Sequence, residues 1–118
     1  MKLVVHCKRG AYDRYVGRGP GARGRWGNPF SHKPGTQARY RVATREEAIA
    51  AHREWLWGEI KVGRVSVEEL AALAGKVLGC WCAPRRCHGE TLAAAARWAQ
   101  RVLAGEAEFD RGSDEVPF

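Results

Sequence analysis

The sequence has no long hydrophobic run. No apolar stretch among its 118 residues approaches the roughly 20 residues that a membrane-spanning helix needs. The N-terminal MKLVVHCKRG also lacks the apolar segment of a signal peptide. We therefore expect a cytoplasmic protein with no membrane partner. With 45% hydrophobic and 28% charged residues, the composition is that of a globular chain large enough for one hydrophobic core.

The two common phosphate-binding loops are missing as well. The chain contains no G-x4-G-K-[ST] sequence and no G-x-G-x-x-G that opens a helix. Acidic residues are scarce in the first third, where residues 1–41 hold ten Lys or Arg and one acid, Asp13. This region therefore carries a charge of +9, against +7 for the whole chain. A positive charge concentrated in this way usually faces phosphate.

Two short apolar segments predict strands. KLVVHCK at residues 2–8 and KVLGCWC at residues 76–82 are apolar runs bounded by charge or glycine, and a briefer strand is expected at residues 14–16. Since the connection between the two main strands is long and helical, they should pair in parallel. Residues 10–41, rich in glycine, show neither a strand nor a helix period. They predict a long structured loop, of a kind that is usually functional.

N-cap residues and the spacing of apolar residues predict three helices. Thr44 is the expected N-cap of the first helix, in a capping box in which Glu47 reaches back to the Thr44 amide. Ser66 and Glu69 predict the same arrangement at the start of the second helix. The third helix should cover about residues 88–104, where apolar residues recur at helical spacing.

The expected fold is a small single-domain α/β sandwich over residues 1–104, with a short, mainly parallel sheet flanked by three helices. Residues 105–118 carry a net charge of −4 and predict a mobile acidic tail. His52 lies on the apolar stripe of the first helix, where we expect a hydrogen-bonded core residue rather than a catalyst.

Three cysteines lie within the stretch GCWCAPRRCHGE, residues 79–90. Alternation along the strand places Cys80 and Cys82 on one face, and Cys87 begins the last helix. Structural zinc usually takes C-x(2–4)-C pairs, which this stretch lacks. We therefore expect no cofactor, with zinc left as an open alternative whose ligands would be Cys80, Cys82, Cys87 and His88, with His6 and Cys7 nearby.

A disulfide is a further open alternative. Arginine outnumbers lysine 15 to 5, a bias that also occurs in thermophiles, and hyperthermophile intracellular proteins do contain disulfides. A bridge from Cys87 to Cys80 or to Cys82 is therefore compatible with the sequence.

Cys87 is the best candidate nucleophile. It sits at a helix N-terminus beside Arg85, Arg86 and His88, a setting that favours the thiolate. His88, with His6 as an alternative, is the candidate proton acceptor. The candidate catalytic residues are thus Cys87, His88 and Glu90.

Anion binding is the interpretation that the cysteine stretch favours most. A helix N-terminus after a strand binds phosphate or carboxylate readily, and open α/β sheets bind ligands at the carboxyl ends of their strands. The Gly/Arg loop, residues 15–30, follows the first strand and should reach the same edge. The candidate ligand-binding residues are four arginines for phosphate, an amide for orientation, two indoles for a base and one thiol: Arg18, Arg25, Arg85, Arg86, Asn28, Trp26, Trp81 and Cys82.

Four motifs together resemble the domain of unknown function family 4326, small proteins common in bacteriophages and bacteria: Gly17-Arg18, Trp26-Gly27-Asn28-Pro29-Phe30, Arg53-Glu54-Trp55-Leu56 and the cysteine stretch. The likeness runs from about residue 2 to residue 103. It implies one domain in which the motifs build a single site, and it implies no reaction. Members of the family usually carry Asp where this chain has Glu90, and their Gly/Arg loop is usually shorter.

The expected function is the binding of a phosphate-bearing ligand, such as a nucleotide or nucleoside derivative, in a pocket at this edge. Whether the protein is an enzyme stays open; group transfer or hydrolysis at a nucleotide or glycosidic centre fits better than redox chemistry, because no dinucleotide fingerprint is present. The alternative is a nucleic-acid-binding module, with or without structural zinc, in which the basic first third follows the phosphate backbone.

Overall fold

Three short parallel strands form the main sheet of the computed structural model, which describes residues 4–33, 38–81 and 87–118. The strand order is β1-β5-β2, and β5 pairs in parallel with both neighbours. The parallel pairing expected of the two apolar segments is confirmed. The bounds are β1 (Val4–His6), β2 (Arg14–Tyr15) and β5 (Leu78–Cys80).

The long glycine-rich loop contains its own small elements. A 3-10 helix covers Gly21–Gly24, and two further strands, β3 (Phe30–Ser31) and β4 (Tyr40–Arg41), pair in parallel. Each strand has only two residues and is therefore too short to be predicted from a sequence period. Hydrogen bonds from the Tyr40 amide to the Pro29 carbonyl and from the Val42 amide to the Ser31 carbonyl join this pair.

The three helices are α1 (Arg45–Lys61), α2 (Val67–Ala71) and α3 (His88–Leu103). The capping box at Ser66 is complete, as expected. At α1 the Thr44 hydroxyl accepts from the Glu47 amide at 3.1 Å, but the Glu47 carboxylate accepts from the Ala43 amide at 3.0 Å. The predicted second half of that box is therefore wrong by one residue. Gly63, with φ of 86°, follows α1 in the left-handed conformation that glycine adopts without strain.

Helix α3 is the centre of the core. It packs against β1, β5, α1 and α2, and its inward residues Leu92, Ala95, Ala96 and Ala99 are wholly buried. The small side chains of the three alanines let the backbones approach closely, which suits a helix packed on several neighbours. The predicted α/β class is confirmed. In the part of the chain that the structure describes, no helix is long and apolar enough to span a membrane.

The acidic C-terminal segment lies against α1 and α3. The rings of Phe109 and Phe118 contact both Trp57 and Trp98, with centroids 5.5–6.3 Å apart. The Arg53 guanidinium donates to the Phe118 carbonyl at 2.9 Å. These contacts place the segment on α1 and α3; that it is mobile, as its acidity predicts, stays a prediction.

Candidate ligand-binding rim

The carboxyl ends of the three parallel strands meet where α3 begins. The Cys7 amide, just after β1, donates to the Cys80 carbonyl at 2.9 Å, and the Val16 amide, just after β2, donates to the Gly79 carbonyl at 2.9 Å. The sequence thus brings the ends of β1, β2 and β5 together, as parallel pairing requires. We call this edge the rim; its described residues are His6, Lys8, Tyr15, Arg18, Arg23, Trp81 and residues 87–90.

An exposed indole stands at the centre of the rim. Trp81 is 55% exposed, and its Nε1 donates to the hydroxyl of Tyr15 at 3.0 Å. That hydroxyl in turn donates to the Arg18 carbonyl at 2.8 Å. The Tyr15 hydroxyl thus accepts one hydrogen bond and donates another. The indole is held through its nitrogen, while much of its ring surface stays open to solvent.

Cationic and imidazole groups surround the two rings. The Lys8 ammonium lies 5.6 Å from the centroid of the Trp81 ring, and the His6 ring meets the same indole edge-on at 5.5 Å. The Arg23 guanidinium lies over the ring of Tyr15 at 4.1 Å. Lys8 therefore places a positive charge beside the exposed indole, and Arg23 places one over the Tyr15 ring.

Arg18 and Asn28 hold the Gly/Arg loop closed. The Arg18 guanidinium donates to the carbonyls of Asn28 and Phe30, both at 2.8 Å. The Asn28 side chain accepts from the Phe30 amide at 2.9 Å and donates to the Ala48 carbonyl at 3.3 Å. The Asn28 side chain therefore helps to close the loop, and its predicted role in orienting a ligand stays a prediction.

Arg25 and Trp26 are drawn towards α2 and the core. Arg25 forms a two-point contact with Glu69 at 3.0 and 2.9 Å and also donates to the Arg64 carbonyl. The hydrogen bond from Arg25 holds the pKa of the Glu69 carboxyl below its ordinary value. Trp26 is 6% exposed and belongs to the hydrophobic core. Their predicted contacts with a ligand stay predictions, but neither side chain lies open on the rim.

Two of the cysteines touch each other beneath the rim. The Sγ atoms of Cys80 and Cys87 are 3.1 Å apart, and both residues are buried. Cys87 is the N-cap of α3, and its sulfur accepts from the Gly89 amide at 3.3 Å. A Cβ atom on Gly89 would come within 2.9 Å of Val4, so glycine at this position lets α3 begin close against β1.

The buried histidines form a pair between α1 and α3. His88 Nε2 lies 2.6 Å from the carbonyl oxygen of Val16; since a carbonyl only accepts, this nitrogen carries the hydrogen. The His52 ring meets the His88 ring edge-on at 5.1 Å. Burial, together with the neighbouring His88, holds the pKa of His52 well below its ordinary value. His52 Nδ1 has no hydrogen-bond partner among the described residues, so the expected hydrogen bond is not made there.

The three candidate catalytic residues face different surroundings. Cys87 and His88 are buried, whereas Glu90 is exposed on the first turn of α3. Their predicted catalytic roles stay predictions. Two of the side chains are buried and the third faces solvent, so the three do not share one solvent-facing surface.

Cys82, Arg85 and Arg86 lie outside the described residues, so their predicted roles and the full zinc set are untested. Within the described ranges, no three His, Cys, Asp or Glu side chains group as metal ligands do. Tyr15 and Lys8 were not among the site residues predicted from the sequence. The available signal was their position at the carboxyl ends of two predicted strands.

Comparison with known proteins agrees with the motifs. The model of a domain of unknown function, DUF4326, matches residues 5–98. The chain is 31% identical over 90 residues to the uncharacterized 12.4 kDa protein in the nrdA-td intergenic region of Enterobacteria phage T4. That similarity covers 76% of this chain and 72% of the phage protein. No solved structure matches the chain significantly.

Proposed function

The chain belongs to the DUF4326 family, and for this member we propose that the rim binds a phosphate-bearing ligand, a nucleotide or nucleoside derivative. The observation that carries the proposal is the exposed indole of Trp81, fixed by Tyr15 at the carboxyl ends of three parallel strands. Ligands of open α/β sheets bind at this end of the strands. An aromatic surface offered there suits a base, because every base has a π face.

The charge at the rim suits the rest of such a ligand. Lys8 and Arg23 flank the aromatic pair, and the positive end of the α3 dipole points to the same edge. In the proposal these groups bind phosphate together with Arg85 and Arg86, whose role rests on sequence alone. Arg25 takes no direct part, because Glu69 and the Arg64 carbonyl already use its guanidinium.

The proposal concerns binding and does not require turnover. If the ligand is processed, group transfer or hydrolysis is the expected chemistry. Cys87, His88 and Glu90 are then the residues to replace first. Because Cys87 and His88 are buried, a loss of turnover counts as catalytic only where the melting temperature of the variant is unchanged.

Calorimetric titration of the purified protein with nucleoside monophosphates, nucleosides and inorganic phosphate tests the proposal. We expect a nucleotide to bind more tightly than either of its parts, and Trp81→Ala to weaken binding about fivefold or more, since stacking on one base is worth ~1–3 kcal/mol. Tyr40→Ala is the matched control, because Tyr40 is also an exposed aromatic, at 48%, but lies on β4. Absence of nucleotide binding, or equal losses in both variants, would contradict the proposal.

A nucleic-acid-binding surface is the second candidate, favoured by the exposed side of β4. Tyr40 stacks on Phe30 with centroids 5.2 Å apart, and the neighbouring residues Arg39 and Arg41 are exposed. A single strand bound there would show affinity that falls steeply with salt, and Tyr40→Ala would weaken it more than Trp81→Ala. The same two variants therefore separate the two functions.

A further inference from the structure

The contact between Cys80 and Cys87 supports a second kind of chemistry that is independent of any ligand at the rim. Their sulfurs are 3.1 Å apart, closer than the roughly 3.8 Å that two cysteine sulfurs reach when both ligate one tetrahedral zinc at the usual Zn–S distance of about 2.3 Å. The two residues are seven positions apart along the chain. One ends β5 and the other caps α3.

We propose that Cys80 and Cys87 form a reversible disulfide, with a low-molecular-weight disulfide such as oxidised glutathione as the co-reactant. The sulfur of Cys87 accepts the Gly89 amide hydrogen at the N-terminus of α3, a position that stabilises a thiolate. Cys87 is therefore the attacking sulfur. Cys80, already in contact with it, is the resolving one.

The exchange balances in two steps. The Cys87 thiolate attacks one sulfur of oxidised glutathione, which forms a mixed disulfide and releases one glutathione thiolate. The Cys80 thiolate then attacks the Cys87 sulfur and releases the second glutathione thiolate. The two released thiolates take up the two protons that the protein thiols lose. The protein is oxidised by two electrons, and one glutathione disulfide is reduced to two thiols.

The bridge has a local consequence at the rim. A disulfide sulfur carries no charge, so oxidation removes any negative charge that the Cys87 sulfur holds beside the Gly89 amide at the first turn of α3. It also ties the end of β5 covalently to the start of α3. The redox state of this pair is thereby coupled to the anion-attracting end of the helix.

Disulfide mapping of the wild-type protein tests the proposal. The protein is brought to equilibrium with mixtures of reduced and oxidised glutathione. Equilibration starts once from the reduced protein and once from the oxidised protein, because the two sulfurs are buried and exchange will be slow. Samples are quenched in acid, unfolded and alkylated. We expect the number of alkylated cysteines to fall from four to two as the mixture becomes oxidising, and dithiothreitol to restore all four.

The linked peptides identify the pair. Trypsin alone leaves Cys80 and Cys82 on one peptide, so chymotrypsin, which cleaves after Trp81, is needed to separate them. We expect Cys80 linked to Cys87 in the wild type and in the control variants Cys7→Ser and Cys82→Ser, and no such link in Cys80→Ser. The proposal is overturned if four cysteines are alkylated at every ratio of reduced to oxidised glutathione. A Cys82–Cys87 link, or stoichiometric zinc that protects the thiols, would also overturn it.

Discussion

The Nε2 atom of His88 lies 2.6 Å from the carbonyl oxygen of Val16, so the first residue of α3 holds the end of β2. Val16 is wholly buried and His88 nearly so, and removing the donor would leave the carbonyl unsatisfied. We expect His88→Leu, a change of similar volume, to lower the free energy of unfolding by about 1–3 kcal/mol. Urea denaturation measures it. The control His32→Leu, in the loop after β3, should cost much less; equal costs would show that the hydrogen bond contributes nothing.

The neighbouring His52 should make stability depend on pH. Because its pKa is lowered in the folded state and is about 6.5 when unfolded, only the unfolded chain takes up a proton as the pH first falls below 6.5. The free energy of unfolding is therefore highest above this value. It should decrease by up to ~1.4 kcal/mol per pH unit for this one group as the pH falls.

Urea denaturation between pH 7.5 and 5.5 measures this dependence, in a window above the ordinary carboxyl range. The His52→Leu variant lacks the titrating group and should show a flatter profile than the wild type. Parallel profiles in the two proteins would contradict the assignment of the effect to His52.

Much of the fold could be predicted from local sequence patterns, whereas the contacts between distant residues could not. The parallel pairing of β1 with β5 and the capping box at Ser66 could be predicted, because each depends on adjacent residues or on the length of a connection. The contact of His88 with Val16 joins residues 72 positions apart, and no periodicity encodes it. The Tyr15 hydroxyl links Trp81 to Arg18, and it was missed for the same reason.

The acidic segment offers a prediction on stability. Phe118 contacts Trp57 and Trp98, which are themselves only 2% and 5% exposed. Since Phe118 is partly buried, we expect Phe118→Ala to cost about 1–3 kcal/mol, below the range for a fully buried phenylalanine. Its tryptophan fluorescence should also shift to the red as the indoles meet water. Pro117→Ala, at an exposed neighbouring position, is the control. Unchanged stability and fluorescence in both would instead indicate the mobile tail that the composition predicts.

Arg23 and Arg25 lie two positions apart in the same loop, yet their guanidinium groups have different partners. Arg25 pairs with Glu69, and both side chains are over a third exposed, at 39% and 36%, so Arg25→Met should cost under ~1 kcal/mol of stability. Because the pKa of Glu69 is lowered by this pairing, the contribution is present above pH 4.5 and is lost as the pH falls through the folded pKa. A double-mutant cycle with Glu69→Gln, at pH 7 and near pH 3, measures it.

The same two arginines test which side of the loop binds the ligand. Arg23 lies over the ring of Tyr15, whose hydroxyl accepts from the exposed indole, so Arg23→Met should weaken nucleotide binding several-fold, with little change in stability. Arg25→Met should leave that affinity unchanged, because its guanidinium is already bound near α2. Calorimetric titration of both variants decides the point. If Arg25→Met weakens binding and Arg23→Met does not, the phosphate group is bound at the α2 side of the loop, and the assignment of the ligand to the surface around Trp81 is wrong.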